Sequence, residues 1–458
     1  MSEISLARVL SRRDVLTLSF GAMIGWSWVF LTGEWLLRAG ILGALLAFAI
    51  GGSAVIFISL TYAELASAMP KAGGEHVYTL RALGRKPSFI CTWSMVMAYI
   101  TVPVFESAAI PTALEYLFPD LKAVFLWKVL DADVHLSLAM CGVVATIIIT
   151  TINYVGIKTA AIVQSIITGL FCTVGIMFFL GALTSNGVSA VGAEQSVPLL
   201  TNGLLGTLGV LMMVPALMVG FDVIPQSAEE IDLPPSLIGT LLVISVLMAV
   251  LWYGLITLSV GLSLSPEELA SSTMATADAN ANVWGGAWAG KLMVIAGIGG
   301  ILTSWNAFII GASRIIYALA ESGMLPAVFA RLHPKYKTPY WAILLIGFLC
   351  CISPFFGRTI LVWLIDAGSF AIIIAYAFVA WAFLKLRENE PDMVRPFKVK
   401  FGKPVGYIAL IMSVAIGLVY LPGSPSALLW PYEWAMVLGW AVLGVILYWL
   451  ASKKRSND

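Results

Sequence analysis

Two short stretches hold the residues best suited to chemistry. Residues 21–30 read GAMIGWSWVF, with two glycines four apart and a serine between two tryptophans, inside an apolar run long enough to cross a bilayer. Residues 215–225 read PALMVGFDVIP, with a glycine, a phenylalanine and an aspartate between two prolines. Gly weakens a helix interior by about 1 kcal/mol relative to Ala, and Pro removes a donor and clashes with the preceding turn. Each stretch alone also fits a blander role, a close-packing glycine face or a simple kink. Their matching places in the two halves of the chain favour interrupted helices. An interruption offers N–H groups at one half-helix end and carbonyls at the other. Those groups can hold a zwitterion, a carboxylate on the N–H side and an ammonium on the carbonyl side. The residues expected there are Ile24, Gly25, Trp26 and Ser27 from the first stretch, and Gly220, Phe221 and Asp222 from the second.

Ionisable residues inside apolar runs are costly and usually functional. Glu106, in ITVPVFESAAIP, suits an ammonium by direct pairing if it faces a central cavity, or an outer loop partner if it does not. Asp222 either caps the second half-helix or faces an amine. Lys158, in GIKTAA, either reaches the membrane surface or exchanges a proton, because desolvation disfavours its charged form. Trp26, Phe221 and Trp305 fall at or opposite the interruptions, where an aromatic face can meet a cation. Asp366 and Glu34 are expected in an outer vestibule or gate. Glu64, Glu229 and Glu230 are expected to pair with basic residues of the inner loops.

Composition sets the elements that must position these residues. Hydrophobic residues make up 60% of the 458 and charged residues 11%, against about 25% charged in an ordinary soluble domain. Mean hydropathy is +0.94. So much apolar surface needs a bilayer. A net charge of +1 without a basic block argues against nucleic acid as a partner. The five cysteines lie in apolar runs without metal-ligand spacing, and the three histidines are far apart. No metalloprotease motif, nucleophile elbow or carboxylate–histidine set appears, so an enzyme is not expected. A channel would need a continuous polar stripe, and a receptor a sizeable soluble domain. Neither is evident.

At ~20 apolar residues per span, twelve spans are expected, at 15–38, 41–68, 88–117, 136–156, 158–184, 203–229, 236–263, 288–321, 340–357, 359–386, 404–422 and 432–451. The third and eighth are long enough to tilt. With the N-terminus inside, Arg8, Arg12, Arg13, Arg81, Arg85, Arg331, Lys335, Arg387 and Arg395 fall on the inner side, while the outer side collects only Arg38, Lys122, Lys128, Lys291 and Arg358. Both termini are thus expected in the cytoplasm, with segment 1–14 and tail 452–458 flanking a multi-pass inner-membrane protein. The basic residues before the first apolar run could suggest a signal peptide. That run is too long and lacks a cleavage site, so a retained helix is expected. Segments 69–87 and 322–339 read as amphipathic pieces on the membrane surface, and 264–287 as a polar loop with one short helix.

Interruptions in spans 1 and 6 suggest two five-helix repeats, 15–184 and 203–386. Five being odd, the second enters from the opposite face, as in secondary transporters. Helices at 404–451 are additional. Five segments together carry a resemblance: GAMIGWSWVF, YAELASAMPKAGGEHVY at 62–78, NYVGIKTAAIVQ at 153–164, GFDVIPQSAEE at 220–230 and SWNAFIIGASRIIYALAESGMLPAVFARLHPKYKTPY at 304–340. The chain resembles the amino acid–polyamine–organocation transporters. The resemblance implies an all-α, LeuT-like fold of twelve transmembrane helices, and uptake or exchange of amino acids or organic amines. It also implies no cofactor, with a proton rather than sodium as coupling ion. In proton-coupled members a lysine matching Lys158 stands in for sodium. The family's Gly-Ser/Ala-Gly at the first break appears here as Gly25-Trp26-Ser27, which lacks the second glycine and narrows the pocket. The expected function is alternating-access import of a small zwitterionic or cationic amine, with an exchanger or a polyamine or amino-alcohol permease as the alternative. Nothing in the sequence specifies an oligomer.

Overall fold

The computed structural model describes residues 5–130, 132–184, 197–424 and 427–455. Parts of the expected segment 1–14 and tail 452–458 lie outside the described residues. Hydrocarbon offers the backbone no partner, so apolar runs close their hydrogen bonds within helices. In chain order these are α1 (Arg12–Ile24), α2 (Ser27–Phe30), α3 (Thr32–Ala68), α4 (Glu75–Leu83), α5 (Arg85–Leu117), α6 (Leu136–Val155), α7 (Ile157–Leu183), α8 (Gly203–Leu211), α9 (Val214–Leu217) and α10 (Val223–Gln226). There follow α11 (Pro235–Ser263), α12 (Pro266–Ser271), α13 (Ala275–Trp284), α14 (Ala287–Glu321), α15 (Tyr340–Ile352), α16 (Arg358–Asn389), α17 (Gly402–Leu418) and α18 (Tyr432–Arg455). Among the described residues, eight helices are long and apolar enough to cross a membrane, and three apolar helices are shorter. The protein is an all-α membrane protein.

The first expected interruption is present. Helix α1 stops at Gly25, whose φ of 45° and ψ of −141° leave the helical region, and α2 starts at Ser27. Leu31 keeps helical angles, so α2 runs on into α3 as one half-span. It ends at Gly40, with φ 73° and ψ 180°, which divides α3 into two helices. The Pro198 and Leu199 carbonyls accept from the Ile41 and Leu42 N–H groups there, at 3.1 and 2.8 Å. The second interruption is narrower than its bracketing prolines suggest, since both fall inside short helices. Pro215 sits in the first turn of α9, where its missing N–H is harmless. The break proper runs from Met218 to Asp222, with Gly220 at φ 128°.

The bundle core joins α3 to α11 and α8, and α5 to α14 and α16. At one end, here the basic face, polar ties gather. Val9 and Leu10 N–H groups both donate to the Glu230 carbonyl at 2.9 Å. Glu64 accepts from Arg387 Nε at 2.9 Å and from the Val399 N–H at 2.8 Å, and pairs with Arg395 at 3.0 Å. Arg314 of α14 grips Glu230 with two bonds, 2.8 and 3.0 Å, both side chains fully buried. Glu64 and Glu230 thus pair with arginines as expected, although Arg314 comes from a long helix and not from a loop. Glu229 instead accepts from the Ala72 N–H at 3.2 Å.

Three connections differ from the sequence expectation. Segment 69–87 does not lie on a surface, because Gly73 and Gly74, at φ 87° and 35°, turn α4 into the bundle. Glu75, His76, Tyr78 and Thr79 are buried as a result. The polar segment 264–287 forms two helices, α12 and α13, the first opened by a Ser265–Glu268 capping box. On the face opposite the basic one, Phe125–Val129 and Ala132–His135 pair as an antiparallel hairpin, which no alternating apolar pattern announced.

Removing one partner from a buried bidentate pair leaves an uncompensated charge, at about 3–5 kcal/mol, whereas replacing both is often neutral. Arg314→Met should therefore lower the melting temperature of the purified protein sharply, and Arg314→Met with Glu230→Leu should restore much of it.

Candidate functional site

The two interruptions touch. A side chain at Gly220 would run into Ala22 and the Met23 backbone, so only glycine lets the second break lie against the last turn of α1. The carbonyl of Gly25 lies over Gly300 of α14, where a Cβ would also collide. Side chains from neighbouring helices then meet the carbonyls that the breaks leave over. Tyr253 of α11 places its hydroxyl 2.8 Å from the Met23 carbonyl, 3.4 Å from that of Leu217 and 2.8 Å from Ser27 Oγ. One residue therefore reaches both breaks. Thr276 and Thr32 donate to the Trp28 carbonyl at 2.8 and 2.7 Å, and Thr303 donates to that of Gly21 at 3.2 Å.

Above this junction lies a cavity of about 510 Å³, bounded by α1, α2, α5, α9, α14 and α16. Gly25, Trp26, Ser27 and Glu106 line it, as expected, together with Ser304, Phe308, Asp366 and Ser369. Glu106 is only 4% exposed, and its Oε2 has no hydrogen-bond partner among the described residues. Glu106 Oε1 and Ser304 Oγ lie 3.7 and 3.8 Å from where a Gly25 Cβ would stand. Bare backbone, a hydroxyl and a carboxylate thus converge on one point. No Lys, Arg or His is among the described lining residues. An adjoining chamber of about 640 Å³ shares Leu31, Met213, Asp366 and Ser369 and continues to Met412 and Glu433. It reaches none of Gly25, Ser27 and Glu106.

The cavity opens away from the basic face. Phe30, Leu31, Thr112 and Asp366 at its mouth, away from the basic face, are partly exposed. Beneath it, Phe221 packs against Tyr62 and Tyr376, ring centroids 5.5 Å away in each case, and all three rings are buried.

Other expected site residues lie elsewhere. Ile24 is fully buried, and only its carbonyl approaches the site, 3.3 Å from Tyr253 Oη. Gly220 serves the helix contact. Phe221 belongs to the floor on the basic side, because the turn at Gly220 directs it away from the cavity. Asp222 is buried below the cavity, accepting from the Gly220 N–H at 3.0 Å and the Tyr376 hydroxyl at 3.3 Å; it stands at the N-cap position of α10, but its side chain makes no capping bond to that helix. Trp305 is fully buried in α14 and does not line the cavity, whereas its neighbour Ser304 does. Lys158 is not desolvated. Its side chain is 52% exposed at the basic end of α7, with Nζ 3.2 Å from Asp14 and 3.4 Å from the Val9 carbonyl. Glu34 pairs with Arg38 at 2.6 Å, apart from the cavity.

A chain of buried amides also escaped sequence reasoning. Asn153 donates to Asn306 at 2.8 Å, Asn306 to Gln164 at 2.8 Å, and Gln164 to the Thr17 carbonyl at 3.2 Å. It ties α6, α14 and α7 to α1 below the break.

Comparisons with known proteins agree in kind. The family described as amino acid permease matches residues 10–448. The branched-chain amino acid permease BcaP of Bacillus subtilis (strain 168) is 26% identical, covering 99% of this chain and 95% of its own. The methylthioribose transporter of the same organism is 25% identical with the same coverage, 99% and 95%. Its aspartate-proton symporter is 25% identical over 90% of this chain and 79% of its own.

Gly25→Ala would place a Cβ at a positive φ, which L side chains rarely adopt, and fill the point where Ser304 and Glu106 converge. Helical content measured by circular dichroism should be unchanged, while ligand-induced thermal stabilisation should be lost.

Proposed function

Since the chain belongs to the amino acid permease family of the amino acid–polyamine–organocation superfamily, we propose that it imports a small amino acid or related organic amine by alternating access. The observation that carries this reading is the contact between two broken helices beside a cavity lined by Gly25, Ser27 and Glu106. Within the reading, the α2 end offers N–H groups to a substrate carboxylate, and Glu106 pairs with its ammonium. Trp26 covers the ammonium face. Two five-helix repeats, 15–184 and 203–386, account for interruptions five spans apart, with 404–451 as two additional helices in a LeuT-like set of twelve. The lysine and arginine bias supports a cell-membrane protein with its basic face and both termini towards the cytoplasm. The conformation is then outward-facing.

The aspartate-proton symporter among the relatives supports proton-coupled uptake as the mode. A cationic substrate such as a polyamine or amino alcohol is the second reading. It is favoured by two carboxylates, Glu106 and Asp366, in a cavity whose described lining includes no basic residue. Obligate exchange differs from both in lacking net accumulation. Lys158 acts in this scheme as part of the inner closure, through its pair with Asp14.

A thermal-shift screen of purified protein over amino acids, polyamines and amino alcohols tests the reading. A true ligand at 100 times its Kd stabilises by about 2.7 kcal/mol, and an absence of hits across all three classes would contradict it. In the same assay, Glu106→Gln should weaken cationic ligands far more than zwitterions, and equal losses would make Glu106 structural. Lys158→Ala removes a pair whose acid, Asp14, is buried while Lys158 is half-exposed. It should speed deuterium exchange in residues 9–24 while the pH dependence of uptake persists. Loss of that dependence would make Lys158 the proton carrier.

A further inference from the structure

Below the aromatic floor, near Asp222, lies another buried carboxyl without a cation. Glu75, the first residue of α4, is fully buried, and among the described residues no basic nitrogen lies within ion-pair reach of it. Its Oε2 accepts a hydrogen bond from Gln226 Nε2 of α10. The remaining oxygen of each side chain, Glu75 Oε1 and Gln226 Oε1, is buried and unpartnered. Both are acceptors, and neither can satisfy the other. One added proton resolves this. A protonated Glu75 can donate to the Gln226 carbonyl oxygen while Gln226 donates back, closing a two-bond acid–amide ring in which no buried acceptor is left over.

We propose that Glu75 is a proton-binding site of the transport cycle, holding its proton through the Gln226 amide while the basic side is closed and releasing it when that side opens. The inference rests on the alternating-access reading. On loading, an O–H bond of a hydronium ion breaks, its electrons stay on the water oxygen, and a lone pair of the Glu75 carboxylate forms the new O–H bond. On release, that bond breaks, its electrons stay on oxygen, and cytoplasmic water takes the proton. Opening is coupled to release because Gln226 sits on α10, four residues beyond Asp222 at the broken helix, and α10 packs on α1. Movement of the two segments away from α4 parts the acid from its amide and admits water.

The groups facing Glu75 agree with a neutral acid. They are the hydroxyls of Tyr62, Tyr78, Tyr99 and Tyr376, the thiol of Cys91 and the carboxyl of Asp222. None supplies positive charge. Burial, and then Asp222, push the Glu75 carboxyl well above the usual range. Its neighbour His76 is also buried, and that burial, with the charge of Arg85 adding to it, lowers the imidazole to about 4. The imidazole therefore stays neutral and offers Glu75 no counter-charge. Arg85 itself is engaged with the Ser322 carbonyl at 3.2 Å. The helix dipole at the start of α4 favours an anion, but one helix end is weak against complete burial of a carboxylate.

The test uses full-length protein in liposomes, with radiolabelled leucine, alanine, lysine and aspartate as probes. In wild type, homoexchange of whichever probe is carried establishes transport, and an acid-outside gradient should drive accumulation beyond it. Glu75→Gln should keep homoexchange and lose the gradient-driven accumulation. Accumulation with wild-type pH dependence in Glu75→Gln overturns the proposal. Infrared spectra of protein carrying ¹³C-labelled glutamate give a reading that needs no transport. A protonated-carboxyl band at neutral pH should survive Glu106→Gln, vanish in Glu75→Gln and shift in Gln226→Leu. No such band in wild type, or a band unmoved by Gln226→Leu, overturns it even if Glu75→Gln fails to fold. Wild type that exchanges none of the probes counts against the transport reading, while the infrared result still decides the state of Glu75.

Discussion

A single phenol holds two interrupted helices together. Where α1 stops and where α9 ends, carbonyls lose their helical partners in a region without water, and each unsatisfied group there costs several kcal/mol. The Tyr253 hydroxyl lies within hydrogen-bond reach of the Met23 and Leu217 carbonyls and of Ser27 Oγ. It can donate to only one carbonyl at a time. The junction is therefore nearly satisfied on the protein side and open on the cavity side. Thr276, Thr32 and Thr303 complete the satisfaction around it. The cavity can stay lined with backbone because the rest of the break is tied off from behind.

The same economy explains the division between mouth and floor. On the cavity side the groups are few, the Gly25 turn, Ser304 and Glu106, and Glu106 Oε2 has no hydrogen-bond partner among the described residues. On the basic side they are many and joined: the Arg314–Glu230 fork, the Glu64 arginines, the Leu10 strand-like contact with Ile231. A bundle with one tied end and one loose end is poised to admit a ligand from the loose end. In the proposed alternating-access cycle, reversal requires the ties at α1 and α10 to give way, and those are the elements that border the breaks. The polar floor between Asp222 and Glu75 then lies on the route that opens.

Much of this was legible in the residues. Gly21–Phe30 and Pro215–Pro225 announced interruptions through helix-breaking types in apolar runs, and both are present. Gly25, Trp26, Ser27 and Glu106 fall on the cavity because helical spacing and the break fix their direction. Phe221 and Asp222 could not be aimed from sequence, since a turn at Gly220 with φ 128° sets their direction by an amount that no pattern encodes, and Trp305 sits on α14, whose rotation is set only by packing. The desolvation expected at Lys158 depended on depth in the bundle, which a ±2-residue shift in the start of α7 decides. Tyr253 and the Asn153–Asn306–Gln164 chain were invisible for another reason. Isolated polar residues in four different spans become a network only when the helices pack. Buried Glu75 was read as a surface residue because α4 looks amphipathic, and only the Gly73–Gly74 turn brings it inside.

The most direct measurement is a cryo-electron microscopy map of the protein with its stabilising ligand bound. The account requires density for that ligand between the Gly25 turn, Ser304 and Glu106, with the helix broken at Gly25–Trp26 and again at Met218–Asp222. Ligand density only in the chamber towards Glu433, or two continuous helices in place of those breaks, would contradict it.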